Sequence, residues 1–87
     1  MTRTFSWEGR CYDGLSKEPL LNFYLCSDSL QDVTNVTKGI KRLSWTSSFK
    51  IEDVAMVDEF AHATLVVPED QKDDVKELLV AMKFIET

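Results

Sequence analysis

The chain is short of almost everything that would announce a chemistry. Among 87 residues there are two cysteines, Cys11 and Cys26, too few for a disulfide scaffold and not spaced for metal binding. Free thiols in a reducing compartment follow. Histidine occurs once, as His62, which leaves a single side chain whose unperturbed pKa lies near neutrality. The three glycines, Gly9, Gly14 and Gly39, stand apart, so no Gly-rich loop is available to cradle a phosphate. No apolar run approaches the roughly 20 residues that cross a bilayer, and the first residues lack the apolar stretch of a secretory signal. A cytoplasmic location without membrane contact is the expectation. Cations are outnumbered, 10 Lys and Arg against 15 Asp and Glu, for a net charge of −5 and a pI near 4.7. That balance repels a phosphate backbone and argues against nucleic acid as a partner. The one basic cluster, Lys38, Lys41 and Arg42, falls at the end of a predicted helix, where the helix dipole accounts for it.

What is present is a packed-domain composition, 44% hydrophobic and 10% aromatic, in a chain long enough for one domain. Its plan is written twice, forty-two residues apart. Thr4-Phe5-Ser6-Trp7 is answered by Thr46-Ser47-Ser48-Phe49, and Phe23-Tyr24-Leu25 by Leu65-Val66-Val67. The helix-spaced set Val33, Val36, Ile40 and Leu43 is answered by Val75, Leu78, Met82 and Ile85. The pattern predicts one domain, 1–87, built from two ββα halves at about 2–43 and 44–87.

Residues 4–12 alternate with period two, Phe5, Trp7 and Cys11 on one side, which predicts a half-buried strand. After Asp13-Gly14 and Pro19, residues 20–26 read as a second strand with Leu21, Phe23 and Leu25 inward. Ser27-Asp28-Ser29 offers helix N-caps, with Asp28 and Gln31 as a capping box. The helix that follows should bury Leu30, Val33, Val36, Ile40 and Leu43. A third strand is predicted at about 44–51 with Trp45, Phe49 and Ile51 inward. The stretch 52–59 fits a strand-loop-strand hairpin bending near Asp58-Glu59, or a helical turn. Residues 60–67 form a fourth strand with Ala61, Ala63, Leu65 and Val67 inward. Pro68 opens a last helix whose stripe is Val75, Leu78, Leu79, Met82 and Ile85.

Joined, the halves give an α+β fold: a four-stranded antiparallel sheet in the order 1-2-4-3 with two helices on one face. This is a ferredoxin-like sandwich in circularly permuted form, an analogy of fold that carries no function. The uncovered face would then show Tyr12, Leu20, Tyr24, Phe60, His62 and Val66, more apolar surface than solubility needs. It is one candidate contact surface. The other is the acidic helix, with Glu69, Asp70, Asp73, Asp74 and Glu77, which could meet a basic partner or imitate DNA phosphates. Asp and Glu at a helix N-terminus also complement the helix dipole, and that explanation is adequate by itself. These acids lack the Gly-containing turn and alternating oxygens of a calcium loop.

Cys26 and His62 could meet across strands as a thiol activated by imidazole, but no orienting carboxylate or oxyanion loop accompanies them at a recognisable spacing. Tyr12, Tyr24 and Phe60 could stack bases on an open sheet, but the basic surround of such a sheet is missing. The reading is therefore a small acidic protein-binding module without catalysis and without a cofactor. It would be an inhibitor or adaptor of the size and charge that phages and mobile elements encode, docking through the sheet face or the acidic helix. Self-association into a homodimer is expected through the same sheet face. The alternatives are a homo-oligomer enclosing a small ligand, a DNA mimic, and a cysteine-dependent enzyme using Cys26 and His62.

Overall fold

A computed structural model describes residues 2–10, 19–43 and 49–87. Tyr12, Cys11 and Trp45, and with them most of the predicted strand at 44–51, lie outside the described residues. Strands β1 (Arg3–Arg10) and β2 (Leu20–Ser27) precede helix α1 (Leu30–Ile40). Strands β3 (Lys50–Val57) and β4 (Phe60–Pro68) precede a 3-10 turn (Glu69–Gln71), helix α2 (Lys72–Ala81) and a short strand β5 (Ile85–Glu86). The result is α+β, with a mixed sheet and two helices.

The sheet order is β3-β4-β2-β1-β5. The expected 1-2-4-3 arrangement lies within it, but a sheet of four strands, antiparallel throughout, is corrected. β5 runs parallel to β1, pairing Thr4 with Ile85 and Phe5 with Glu86. The sequence stripe ran the last helix through Ile85. Instead α2 ends at Ala81, and Lys83 takes a φ of 71°. The Lys83 amide donates to the Val80 carbonyl at 3.0 Å and the Phe84 amide to that of Leu79 at 2.9 Å. Those are the two bonds of a Schellman motif, which turns the chain and seats the following apolar residue. Phe84 is buried in consequence and Ile85 is 68% exposed.

One core joins both halves. Phe5, Leu21, Phe23, Leu25, Ala61, Ala63, Leu65 and Val67 face Val33, Val36, Ile40, Val75, Leu79 and Phe84. The strand members alternate along β2 and β4, so both helices lie on the same face of the sheet. In α1, Val33, Val36 and Ile40 are buried as expected, but Leu30 is exposed and Leu43 follows the helix end. The N-cap is Ser29, not Asp28. Ser29 has extended backbone and its side chain accepts from the Gln31 amide at 3.2 Å. Asp28 instead accepts from the Thr2 amide at 3.4 Å. Pro68 is the last residue of β4, and the 3-10 turn separates it from α2.

Trp7 has the predicted parity and the wrong burial. It is paired opposite Phe23 yet is 37% exposed. The Lys72 and Lys76 ammonium groups lie 4.6 and 5.9 Å from its ring centroid. Its Nε1 donates to Glu86 at 3.1 Å, and Glu86 accepts Lys76 at 3.2 Å. These hydrogen bonds and the lysine charges hold the Glu86 carboxyl below the ordinary carboxylate range.

Candidate functional site

The 52–59 stretch, ambiguous in sequence, is mostly strand. β3 runs to Val57, and Asp58 and Glu59 form a two-residue turn with φ of 50° and 71°. Positive φ at both central positions is the hairpin geometry whose twist matches that of its flanking strands. Between Glu52 and Ala55 the register with β4 shifts, and Asp53 has a φ of 53°. This bulge interrupts the edge and re-aims the residues beyond it.

Past the bulge the hairpin is unusually apolar for exposed surface. Val54, Met56 and Val57 are 48%, 54% and 50% exposed, and Phe60, paired with Val57, is 37% exposed. Among the described residues β3 is the outermost strand and none of them pairs with its outer edge. Beside that edge a groove of about 310 Å³ lies between β3 and α1, lined by Leu30, Val33, Thr34, Thr37, Lys38, Lys41, Ile51 and Val54. Helical spacing puts Leu30, Thr34, Thr37, Lys38 and Lys41 along one side of α1, which explains why Leu30 is exposed.

The predicted sheet face is assembled only in part. Tyr24, Phe60 and His62 do share the face that the helices leave uncovered, while Leu20 is half-buried at the far end of that face, opposite Pro68. Val66 has the same parity but is 3% exposed, with Asn22 and Lys50 as its cross-strand neighbours. It offers no surface to a partner. The Tyr24 hydroxyl donates to Glu8 and accepts from Asn22 at 3.2 Å, a polar network that ties β1 to β2. Tyr12 lies outside the described residues. The apolar end of this face is therefore its hairpin end, around Phe60 and Val57. The hairpin expected at 52–59 is present, but its Val54, Met56 and Val57 are not among the contact residues read from the sequence, because the bulge at Asp53 hides which way each of them faces. The signal available was the uncharged run Val54-Ala55-Met56-Val57 itself.

Cys26 and His62 are direct cross-strand partners between β2 and β4, and Cys26 is a free, half-buried thiol. Among the described residues no hydrogen bond joins the two side chains, and no carboxylate orients the imidazole. No cluster of His, Cys, Asp and Glu among the described residues is arranged to hold a metal ion.

The acidic candidates divide between two elements. Glu69 and Asp70 lie in the 3-10 turn; Asp73 and Asp74 open α2, and Glu77 follows one turn on. All five are exposed. Lys72 and Lys76 interrupt the series and are held on the Trp7 side. Asp73 and Asp74 occupy the first turn, where the dipole favours them. Among the described residues no helix is long and apolar enough to cross a membrane. Comparison with protein families, with curated proteins and with solved structures finds no match to this chain.

Proposed function

We propose that this chain is a non-catalytic protein-binding module, an inhibitor or adaptor, that docks through the β3–β4 hairpin and the adjoining end of the uncovered sheet face. The observation that carries this is the exposed set Val54, Met56, Val57 and Phe60 on one hairpin. Apolar side chains scattered singly are ordinary surface, whereas a contiguous patch beside an unpaired strand edge is a contact surface or an aggregation hazard. The ββαββα portion is read as a circularly permuted ferredoxin-like sandwich. That likeness of fold adds no function of its own.

Two earlier candidate surfaces rank lower. The acidic helix has a sufficient explanation in the dipole and is broken by Lys72 and Lys76. The Cys26–His62 pair lacks the hydrogen bond and orienting group that nucleophilic catalysis requires. Self-association through the hairpin remains an outcome that experiment separates from binding of a foreign protein.

The test is affinity capture from the source organism with the wild-type chain, a Met56→Lys/Phe60→Ser variant and a Val80→Lys control. Val80 is an exposed apolar residue on α2, away from the hairpin. Met56→Lys and Val80→Lys alter exposed surface and should change stability by about 0.5 kcal/mol or less. Phe60→Ser removes a ring that is mostly covered and should cost about 1–2 kcal/mol, so a urea midpoint confirms that each variant is folded before capture. Proteins retained by wild type and by Val80→Lys, and lost from the hairpin variant, support the reading. Retention by the hairpin variant equal to wild type contradicts it. Light scattering of the same three proteins reports whether the retained partner is a second copy.

A further inference from the structure

The groove beside β3 differs in charge from the molecule that carries it. The chain bears a net charge of −5, yet among the described residues the groove lining includes two lysines and no acidic residue. Lys38 and Lys41 are exposed, and among the described residues neither has a carboxylate within salt-bridge distance. The rest of the lining is threonine and aliphatic side chains, Leu30, Val33, Ile51 and Val54. The groove has a direction as well. Met56 pairs with Ala61, which pairs with Ser27 on β2, and α1 begins three residues later at Leu30. The start of α1 therefore lies at the hairpin-tip end and Lys41 at the Lys50 end. One end is apolar, the other cationic.

The wall opposite α1 is the edge of β3. Alternate backbone N–H and C=O groups of an outermost strand point away from its neighbour and pair readily with an added strand. Past the bulge the edge runs Val54-Ala55-Met56-Val57 without a charge. A volume of about 310 Å³ is at the small end for a ligand site, which spans about 300–1,000 Å³. It suits one or two side chains of a segment laid along it.

Resting on the module reading above, we propose that the occupant is an extended acidic peptide segment of a partner protein. It adds to the β3 edge as a strand, with an apolar side chain between Leu30 and Val54 and carboxylates at Lys38 and Lys41. The backbone edge calls for a polypeptide, since only a strand supplies matched donors and acceptors along its length. The lysines call for acid. A second copy of this chain, paired two-fold edge to edge, would instead gather the lysines of both copies into one seam.

The probe is a fluorescein-labelled octapeptide of alternating Thr with two Val and then two Glu, made also in the reversed order so that either strand direction is served. Its counterpart carries Lys in place of Glu. Fluorescence anisotropy with the full chain should show binding of one acidic probe and not of the Lys probe. Binding should weaken about tenfold or more in Lys38→Glu/Lys41→Glu. N-methylation of alternate probe amides should abolish it in one of the two possible registers. Failure of both acidic probes to bind overturns the proposal. So does affinity unchanged by charge reversal, or by N-methylation in both registers. If the probes fail while hairpin-dependent capture persists, only the acidic-segment assignment falls. If both fail, the module reading falls with it. Concentration-dependent dimerisation that is lost in Met56→Lys assigns the edge to a second copy and likewise overturns the proposal.

Discussion

Phe5 and Trp7 stand on the same side of β1, two residues apart, and contribute differently to stability. Phe5 and Phe23 are fully buried with ring centroids 6.2 Å apart. Truncating Phe23 to alanine should cost about 3–5 kcal/mol through lost transfer energy and a residual cavity. Trp7 keeps a third of its surface in water, so Trp7→Ala should cost about 1–2 kcal/mol, from its lysine contacts and one exposed hydrogen bond. Urea midpoints of the two variants decide this, and equal losses would place Trp7 in the core after all. A second residue-level cost lies in Asp32. It takes Arg3 Nε at 3.0 Å and the hydroxyl of Ser27, which is fully buried. Arg3 also donates to the Met82 carbonyl at 3.1 Å, so one carboxylate links β1, β2, α1 and the end of α2. Asp32→Ala strands a buried hydroxyl and a guanidinium and should lower stability by about 1–3 kcal/mol. Asp28→Ala, at an exposed and longer hydrogen bond, should change it little.

Among the elements, the C-terminal turn of α2 departs furthest from its sequence signal. A Schellman motif ordinarily places Gly at the left-handed position; here it is Lys83. Lys83→Gly should therefore stabilise the fold by about 1 kcal/mol, since a side chain in that conformation costs about 1–2 kcal/mol. A lower thermal midpoint would show that Lys83 is held by something other than backbone geometry. β5, beyond that turn, pairs with β1, and the Glu86 side chain adds contacts to Trp7 and Lys76. Its carboxyl titrates below the ordinary range, so its stabilising contribution is present at neutral pH and is lost as pH falls through that lowered value. In a Trp45→Phe background, Trp7 emission should titrate in the acid range, and Glu86→Gln should remove that transition. These same elements mark where the sequence was legible. Period-two alternation in β2 and β4 named Leu21, Phe23, Leu25, Ala61, Ala63, Leu65 and Val67 correctly, because a buried face leaves no second register. The stripe of α1 gave Val33, Val36 and Ile40 for the same reason. The end of α2 was not legible, because without Gly nothing in the sequence marks the left-handed turn. The hairpin bending at Asp58-Glu59 was legible, but the bulge at Asp53 was not, because it breaks the alternation of β3 and leaves a helical turn as an alternative fit to the local spacing.

At the scale of the whole molecule, the helices close one face of the sheet, β5 shields part of the β1 edge, and the β3 edge is left outermost. Apolar surface gathers at that edge and at the hairpin end of the uncovered face, beside two lysines on a molecule of net negative charge. The candidate site was legible only at Phe60, Tyr24 and His62, where parity alone decides the facing. The edge and groove depend on which strand is outermost and on how α1 leans, and no local pattern encodes either. The central claim, that the β3–β4 hairpin is the contact surface, is tested most directly by photocrosslinking in the source cell. A photoreactive amino acid is placed at Met56 in one variant and at Val80 in another. A discrete higher-mass adduct from position 56 and none from position 80 is the predicted result. No adduct from 56, or the same adduct from both, would contradict the account.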